Sequence, residues 1–169
     1  MTVKITPSGH HDKKVTMKVR IILADDHSLF RSALRMSLES TPDIEVVGEA
    51  MSGVSALRCA VQTHPDVVCM DVNMPGLNGI EATRQLLASQ PEVKVVAMSA
   101  MNDLKLVAEM MSAGASAYVS KMNAGQELPD AIRCVSQNQI YLSPELGILD
   151  LADLMACQVP ARQPLSLSI

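Results

Sequence analysis

Hydrophobic and polar residues alternate in blocks along the chain, and the pattern repeats five times. Each repeat has a short apolar run, typical of a buried strand, followed by a longer segment with apolar residues every three or four positions. Short connections between such blocks predict a parallel sheet whose right-handed crossovers place helices on both faces. The predicted fold class is therefore α/β, with a five-stranded parallel sheet.

The apolar runs locate the predicted strands, and the helical spacing locates the core-facing positions between them. The predicted strands are Val19–Ala24, Ile44–Gly48, Asp66–Met70, Val93–Met98 and Ala115–Val119. Ser28 is expected to cap the first helix. The helical positions expected to face the core are Phe30, Ala33, Leu34, Leu38, Val54, Leu57, Val61, Ile80, Leu86, Leu87, Leu104, Val107, Ala108, Met111, Leu128, Ala131, Ile132 and Val135.

The predicted strands and helices lie within residues 18–138, which are interpreted as one domain. The segments on either side of this domain differ from it in composition. Residues 1–17 are polar and mixed, and predict a flexible N-terminal arm. Residues 139–157 predict a linker helix that begins with Ser143 and Pro144 and carries an apolar face. That face packs either on the domain itself or in a dimer or interdomain contact. Residues 158–169 predict a flexible linker.

Composition narrows the class of protein further. Hydrophobic residues make up 48% of the chain, enough for a packed core, and the net charge of -4 argues against a broad nucleic-acid-binding surface. Aromatic residues make up only 2%, so aliphatic side chains and the twelve methionines are expected to fill the core. A methionine-rich peptide-binding surface is the less favoured alternative.

The cysteines and the absence of long apolar runs indicate a protein of the cytoplasm. The cysteines are scattered without any CxxC pair, which favours reduced thiols over a zinc site or disulfides, and they are Cys59, Cys69, Cys134 and Cys157. No apolar run reaches the roughly 18–20 residues that a membrane span requires, and the first residues do not resemble a signal peptide.

Chemically reactive residues follow four of the predicted strands. Asp25 and Asp26 follow the first strand and Asp71 the third, while Ser99 ends the fourth and Lys121 the fifth. The carboxyl ends of parallel strands form the edge of the sheet that binds ligands. Solvated loop residues are the alternative interpretation, but five such residues on one edge favour a site.

The chemistry of this set is that of phosphoryl transfer. Clustered carboxylates repel one another unless a cation is present, and hard oxygen ligands suit Mg²⁺. A lysine and a hydroxyl nearby can stabilise the oxygens of a transferring phosphoryl group. A carboxylate nucleophile in such a site yields an acyl phosphate.

Four stretches of the sequence resemble the response-regulator receiver domain, which has a flavodoxin-like (CheY-like) fold. They are IILADDHSLFRSALRMSLE, VVCMDVNMPGLNGIEATRQL, VVAMSA and AGASAYVSK, and the resemblance covers residues 18–138. The DDH, the AGASAYVSK and the later YLSPE are similar to the NarL/FixJ-type transcriptional regulators, which have a LuxR-like output domain. PLSLSI at the end of the chain resembles the start of that output domain. DNA binding is therefore expected only through an output domain that these 169 residues do not include.

The resemblance implies a role for each matching residue at the acidic end of the site. Asp71 would be the phosphoacceptor and Asp26 a direct ligand of Mg²⁺, while Asp25 would assist directly or through water. Asn73 would offer its backbone carbonyl to the metal. His27, beside the acidic pair, is interpreted as a residue at the start of a helix and takes no part in this chemistry.

The remaining matching residues would bind the phosphoryl group or change conformation in response to it. Ser99 and Lys121 would bind that group, and Tyr118 matches the aromatic residue that changes rotamer with Ser99, although a tyrosine at the edge of the core is the alternative. Met122 stands where many receivers have proline, so the geometry after Lys121 stays open. A sensor histidine kinase would be the donor of the phosphoryl group. Phosphorylation would switch a homodimer through the surface that helices 102–113 and 125–137 form with the fifth strand. The alternative surface is that of the first and fifth helices.

Three other classes of protein are less compatible with these residues. A haloacid-dehalogenase-like phosphatase needs a second aspartate two positions after its nucleophile, where this chain has Asn73. A module that only binds partners would not need all five residues of the site. A flavin-binding protein would need a phosphate-cradling loop after the first strand. The chain is therefore expected to be no enzyme beyond self-phosphorylation and slow autodephosphorylation.

Overall fold

The computed structural model describes residues 17–146. The predicted arm before Met17, the greater part of the predicted linker helix and residues 158–169 lie outside this range. The elements in chain order are β1 Val19–Ala24, α1 Ser28–Glu39, β2 Ile44–Ala50, α2 Gly53–Thr63, β3 Val67–Asp71, α3 Gly79–Ser89, β4 Lys94–Ser99, α4 Leu104–Ser112, β5 Ala117–Ser120, α5 Ala124–Ser136, β6 Tyr141–Leu142 and a 3-10 helix, Pro144–Leu146.

The strands form one parallel sheet in the order β2-β1-β3-β4-β5-β6. This arrangement confirms the predicted α/β class and all five predicted strands. A sixth strand, β6, adds to the edge of the sheet with Tyr141 opposite Ala117. Two residues are too few to show a strand periodicity, and for that reason the sequence did not reveal β6.

Two hydrophobic cores lie on opposite faces of the sheet, because successive strand residues point to opposite sides. In β1, Ile22 and Ala24 join the core beneath α2, α3 and α4, while Ile21 and Leu23 join the core beneath α1 and α5. The helices therefore cover both faces, as the repeat of strand and helix predicts.

Some helices bury a different face from the predicted one. Val54 and Val61 of α2 are 54% and 61% exposed, whereas Ala56 and Ala60 are buried. Small side chains let this helix lie close to the sheet, and the larger valines are left outside. Ala33 and Leu104 are also exposed, contrary to prediction. By contrast, the predicted anchors of α5 are all fully buried, namely Leu128, Ala131, Ile132 and Val135.

The helices differ in whether a side chain caps their start. Asn78 caps α3, because its side chain accepts a hydrogen bond from the Glu81 N–H. Ser28 is the first residue of α1 and His27 precedes it without a side-chain cap bond, so the prediction of Ser28 as the cap was wrong. A single 3-10 turn, Pro144–Leu146, stands where the linker helix was expected to begin.

Methionines occupy both the core and the surface. Met70, Met98 and Met110 are fully buried, while Met36 and Met122 are largely exposed. The expectation that methionine fills the core is therefore only partly met. Within residues 17–146, the thiols of Cys59, Cys69 and Cys134 are free, and no helix is both long and apolar enough to cross a membrane.

Candidate functional site

The five reactive residues predicted from the strand ends meet at the carboxyl edge of the sheet. β1 and β3 are neighbours, and Asp25 follows the first of these strands while Asp71 ends the second. The order of strands reverses at this pair, the position where doubly wound sheets bind ligands. Ser99 ends β4, and Lys121 follows β5.

Lys121 bridges the two buried carboxylates of the site. Its Nζ lies 2.7 Å from Asp25 Oδ2 and 2.8 Å from Asp71 Oδ2. Asp25 is 0% exposed and Asp71 1% exposed, so both carboxylates depend on this cation to offset the loss of water. The ammonium group also lies 5.0 Å from the centre of the Phe30 ring, a cation–π contact that the sequence did not predict.

Burial and charge act in opposite directions on these groups. Burial raises the pKa of Asp71 above its ordinary value, and Lys121 only partly offsets this effect. Burial by itself lowers the pKa of Lys121, but its hydrogen bonds to Asp25 and Asp71 outweigh burial and leave that pKa raised. The site is thus two buried acids that share one ammonium group.

Four side chains at this edge could hold a metal ion. Ligand atoms of Asp25, Asp26, His27 and Asp71 all lie within 4.8 Å of one another. Three carboxylates are the hard oxygen donors that a divalent cation prefers. The His27 Nδ1 lies 3.0 Å from Asp26 Oδ1 and 3.3 Å from Asp25 Oδ1, so this histidine, set aside in the sequence, belongs to the cluster.

Asn73 contacts the phosphoacceptor candidate through its backbone. Its N–H donates to Asp71 Oδ1 at 3.1 Å, and its own side chain is exposed. This contact fixes one oxygen of the carboxylate while Lys121 holds the other. The role of the Asn73 carbonyl as a metal ligand stays a prediction.

Ser99 and Tyr118 both contact the loop that follows β4. The Ser99 Oγ accepts from the Met101 N–H at 3.0 Å, and the Tyr118 hydroxyl donates to the Met101 carbonyl at 2.7 Å. Tyr118 is fully buried, and burial raises its pKa. The two residues are therefore connected through one loop residue, whereas the predicted change of rotamer stays a prediction.

Residues after α5 contact the same loops, and the sequence did not indicate this. We call Tyr141–Leu146 the strap. In the strap, Ser143 Oγ accepts from the Ser120 N–H at 2.9 Å, next to Lys121. Glu145 accepts from the side chains of Asn123 at 2.6 Å and Asn102 at 3.4 Å. The strap thus joins the loops that follow β4 and β5.

The fold and the site together define the class of protein. It is a doubly wound α/β protein whose acidic, lysine-bridged cluster lies at the switch point of the sheet. The family model of the response regulator receiver domain matches residues 21–133. The chain therefore belongs to the response regulator receiver domain family.

Individual relatives agree with this assignment. Response regulator GacA from Pseudomonas protegens is 40% identical over 129 residues, which are 76% of this chain and 61% of GacA. Transcriptional regulatory protein DegU from Brevibacillus brevis is 37% identical over 129 residues, 76% of this chain and 55% of DegU. The chain thus spans little more than half the length of these curated relatives.

Solved structures share the fold. A two-component response regulator of the LuxR family from Aurantimonas sp. SI85-9A1 superposes with a TM-score of 0.74 at 32% identity, and the match covers 82% of this chain and 96% of that one. This chain therefore contains the receiver domain of a two-component response regulator, as its sequence motifs imply.

Proposed function

We propose that Asp71 accepts a phosphoryl group from a phosphohistidine of a sensor histidine kinase. The observation that carries the proposal is the buried Asp71 carboxylate, held by Lys121 at 2.8 Å beside the acidic pair, in a chain of the receiver family. A carboxylate can act as a nucleophile and form an acyl phosphate.

Mg²⁺ is the cation that we assign to the acidic cluster. Asp26 and Asp71 would hold it with the Asn73 carbonyl, and Asp25 would assist directly or through water. The donor set fits, because Mg²⁺ takes one or two carboxylates together with waters and phosphoryl oxygens. When bound, the ion neutralises the negative charge that develops on the phosphoryl oxygens.

The chain's own residues position the transfer. An Asp71 carboxylate oxygen forms the new bond to phosphorus while the bond from phosphorus to the donor imidazole nitrogen breaks, and the imidazole leaves. Lys121, now shared by two carboxylates, would turn one of its hydrogen bonds to a phosphoryl oxygen. Ser99 would supply a second hydrogen bond from its hydroxyl.

The signal would leave through the loop after β4. Ser99 Oγ now accepts from Met101, so its rotation toward the phosphoryl group breaks that bond and releases the loop. Tyr118 donates to the carbonyl of the same residue and would follow. We propose that the resulting surface of α4, β5 and α5 switches a homodimer, with α1 and α5 as the alternative surface.

The parent protein would act on transcription in the cytoplasm. Its relatives include a protein named as a transcriptional regulator, and the sequence resembles the NarL/FixJ type, so DNA binding would come from a further output domain. The receiver would catalyse only its own phosphorylation from a donor and a slow autodephosphorylation.

Phosphorylation by a small donor tests this proposal. The chain is incubated with acetyl phosphate and MgCl₂, and its intact mass is measured. We expect the mass to rise by one phosphoryl group, and expect no rise with Asp71→Ala or with a chelator. Asp130→Ala is the matched control, because Asp130 is an exposed aspartate of α5, and it should be modified like the wild type. Full modification of Asp71→Ala would overturn the assignment.

A further inference from the structure

Arg31 of α1 reaches back to the backbone of the acidic pair. Its Nη1 donates to the Asp25 carbonyl at 2.6 Å, and its side chain is only 13% exposed. That carbonyl belongs to the peptide that joins Asp25 to Asp26. The guanidinium therefore holds the piece of chain that carries both carboxylates.

The guanidinium is itself held in place by β2. The Arg31 Nε donates to one oxygen of Glu49 at 2.7 Å, and the other oxygen accepts from Arg35 at the same distance. Hydrogen bonds from Arg35 and Arg31 keep the pKa of Glu49 below its ordinary value, so this carboxylate is ionised at neutral pH. The Asp25 N–H donates to the Ala50 carbonyl at 3.0 Å, so β2 holds the Asp25 backbone directly at its N–H and, through Glu49 and Arg31, at its carbonyl.

This anchoring matters most for Asp26. Lys121 and the His27 N–H orient the Asp25 side chain directly. The Asp26 side chain is 30% exposed and lies 3.0 Å from the His27 Nδ1, and the backbone from which it extends is the peptide that Arg31 holds. Partners that orient metal ligands from the second layer typically contribute about 10- to 100-fold to metal affinity.

We propose that Arg31 is a positioning residue for the cation site. It fixes the peptide between Asp25 and Asp26 so that both carboxylates face one divalent ion. The inference rests on the proposed function, because that function places Mg²⁺ in this cluster. Arg31 would thereby contribute to the affinity for the cation, which its ion pair with Glu49 alone would not do.

Arg35 provides a matched control on the same helix. It also donates to Glu49 at 2.7 Å, but its other hydrogen bond goes to Glu39 and not to the acidic pair. Replacing either arginine with alanine removes one bond to Glu49. Only the replacement at position 31 also removes the bond to the Asp25 carbonyl.

Calorimetric titration of the full chain with MgCl₂ tests the proposal. We expect Arg31→Ala to raise the dissociation constant for Mg²⁺ by about 10-fold or more, and Arg35→Ala to leave it close to the wild-type value. Arg31→Lys keeps the charge but cannot bond Asp25 and Glu49 in one planar fork, so its value should fall between those of the wild type and Arg31→Ala. Urea unfolding of the same samples shows that each variant is folded.

The outcomes separate this inference from the proposed function. Equal Mg²⁺ affinity of Arg31→Ala and Arg35→Ala would overturn the role of Arg31 and leave the phosphoacceptor untouched. Failure of the wild type to bind Mg²⁺ would overturn both. If Arg31→Ala does not fold, Arg31→Lys decides the question, and wild-type affinity in that variant would then reject the proposal.

Discussion

The start of α3 lies close against the backbone of Asp71 and Val72, and this contact restricts which residue can stand at position 79. α3 begins directly against the end of β3, so a Cβ at Gly79 would lie 2.1 Å from the Asp71 carbonyl oxygen and 2.8 Å from the Val72 Cα. These neighbours are backbone atoms, which cannot move aside as a side-chain tip can. Gly79 is therefore required by the close approach, next to the proposed phosphoacceptor.

Substitution of Gly79 tests this packing. We expect Gly79→Ala to lower the free energy of unfolding by about 1–3 kcal/mol, the usual effect of overpacking. Gly125 of α5 is the matched control, because a Cβ there has no atom within 4 Å. Gly125→Ala should stabilise the protein by about 0.5–1 kcal/mol, since alanine favours helix. Urea denaturation measures both values, and equal effects of the two changes would contradict this packing argument.

The elements that the sequence signals most strongly have either a continuous apolar run, as the buried strands do, or a regular helical spacing of apolar residues. The five long strands and the face of α5 belong to this group, and the aspartates, Ser99 and Lys121 could be located because each ends a strand. β6 was missed because it has two residues. The buried face of α2 was misjudged because Ala56 and Ala60 pack more closely than its valines.

Contacts between distant segments could not be predicted from one sequence. The bond from Arg31 to the Asp25 carbonyl and the bonds of Glu145 to two loops depend on how the elements are placed in space. Hydrogen bonds made by single polar side chains leave no periodic signal, so these residues resemble ordinary surface side chains in the sequence.

The strap should contribute to stability through Ser143. Its buried hydroxyl accepts from the Ser120 N–H and donates to Glu127, so Ser143→Ala leaves a buried amide and a carboxylate without these bonds. We expect a loss of about 1–3 kcal/mol in the free energy of unfolding. Ser136→Ala, which removes only an exposed bond to the Arg133 carbonyl, is the control in the same denaturation series. A loss no larger than the control's would argue against a stabilising strap.

Across the whole molecule, an ion pair joins two segments that lie 90 residues apart in the chain. Arg133 of α5 bonds both oxygens of Asp43, just before β2, at 2.7 and 2.9 Å. The hydrogen bonds from Arg133 lower the pKa of Asp43 below its ordinary value. A depressed carboxyl pKa adds stability that is present above the unfolded value, about 3.9, and is lost as the pH falls through the folded value.

Asp43→Asn should therefore be destabilising at neutral pH and less so in acid. Because both side chains are partly exposed, we expect a loss of at most about 1 kcal/mol at pH 7. The difference from the wild type should shrink as the pH falls below about 4. Urea unfolding at several pH values measures it, with Asp130→Asn as a control that removes a more exposed pair with the same arginine. A difference in the free energy of unfolding that grows in acid would contradict the stabilising effect of ionised Asp43.

One carboxylate, Asp71, is proposed to carry the phosphoryl group. Borohydride reduces an acyl phosphate of aspartate to homoserine, so the modified residue can be read directly in a peptide map. After treatment with acetyl phosphate and MgCl₂ and then borohydride, we predict homoserine at position 71, with Asp25 and Asp26 unchanged. Homoserine at another aspartate, or none in a fully phosphorylated sample, would contradict the account.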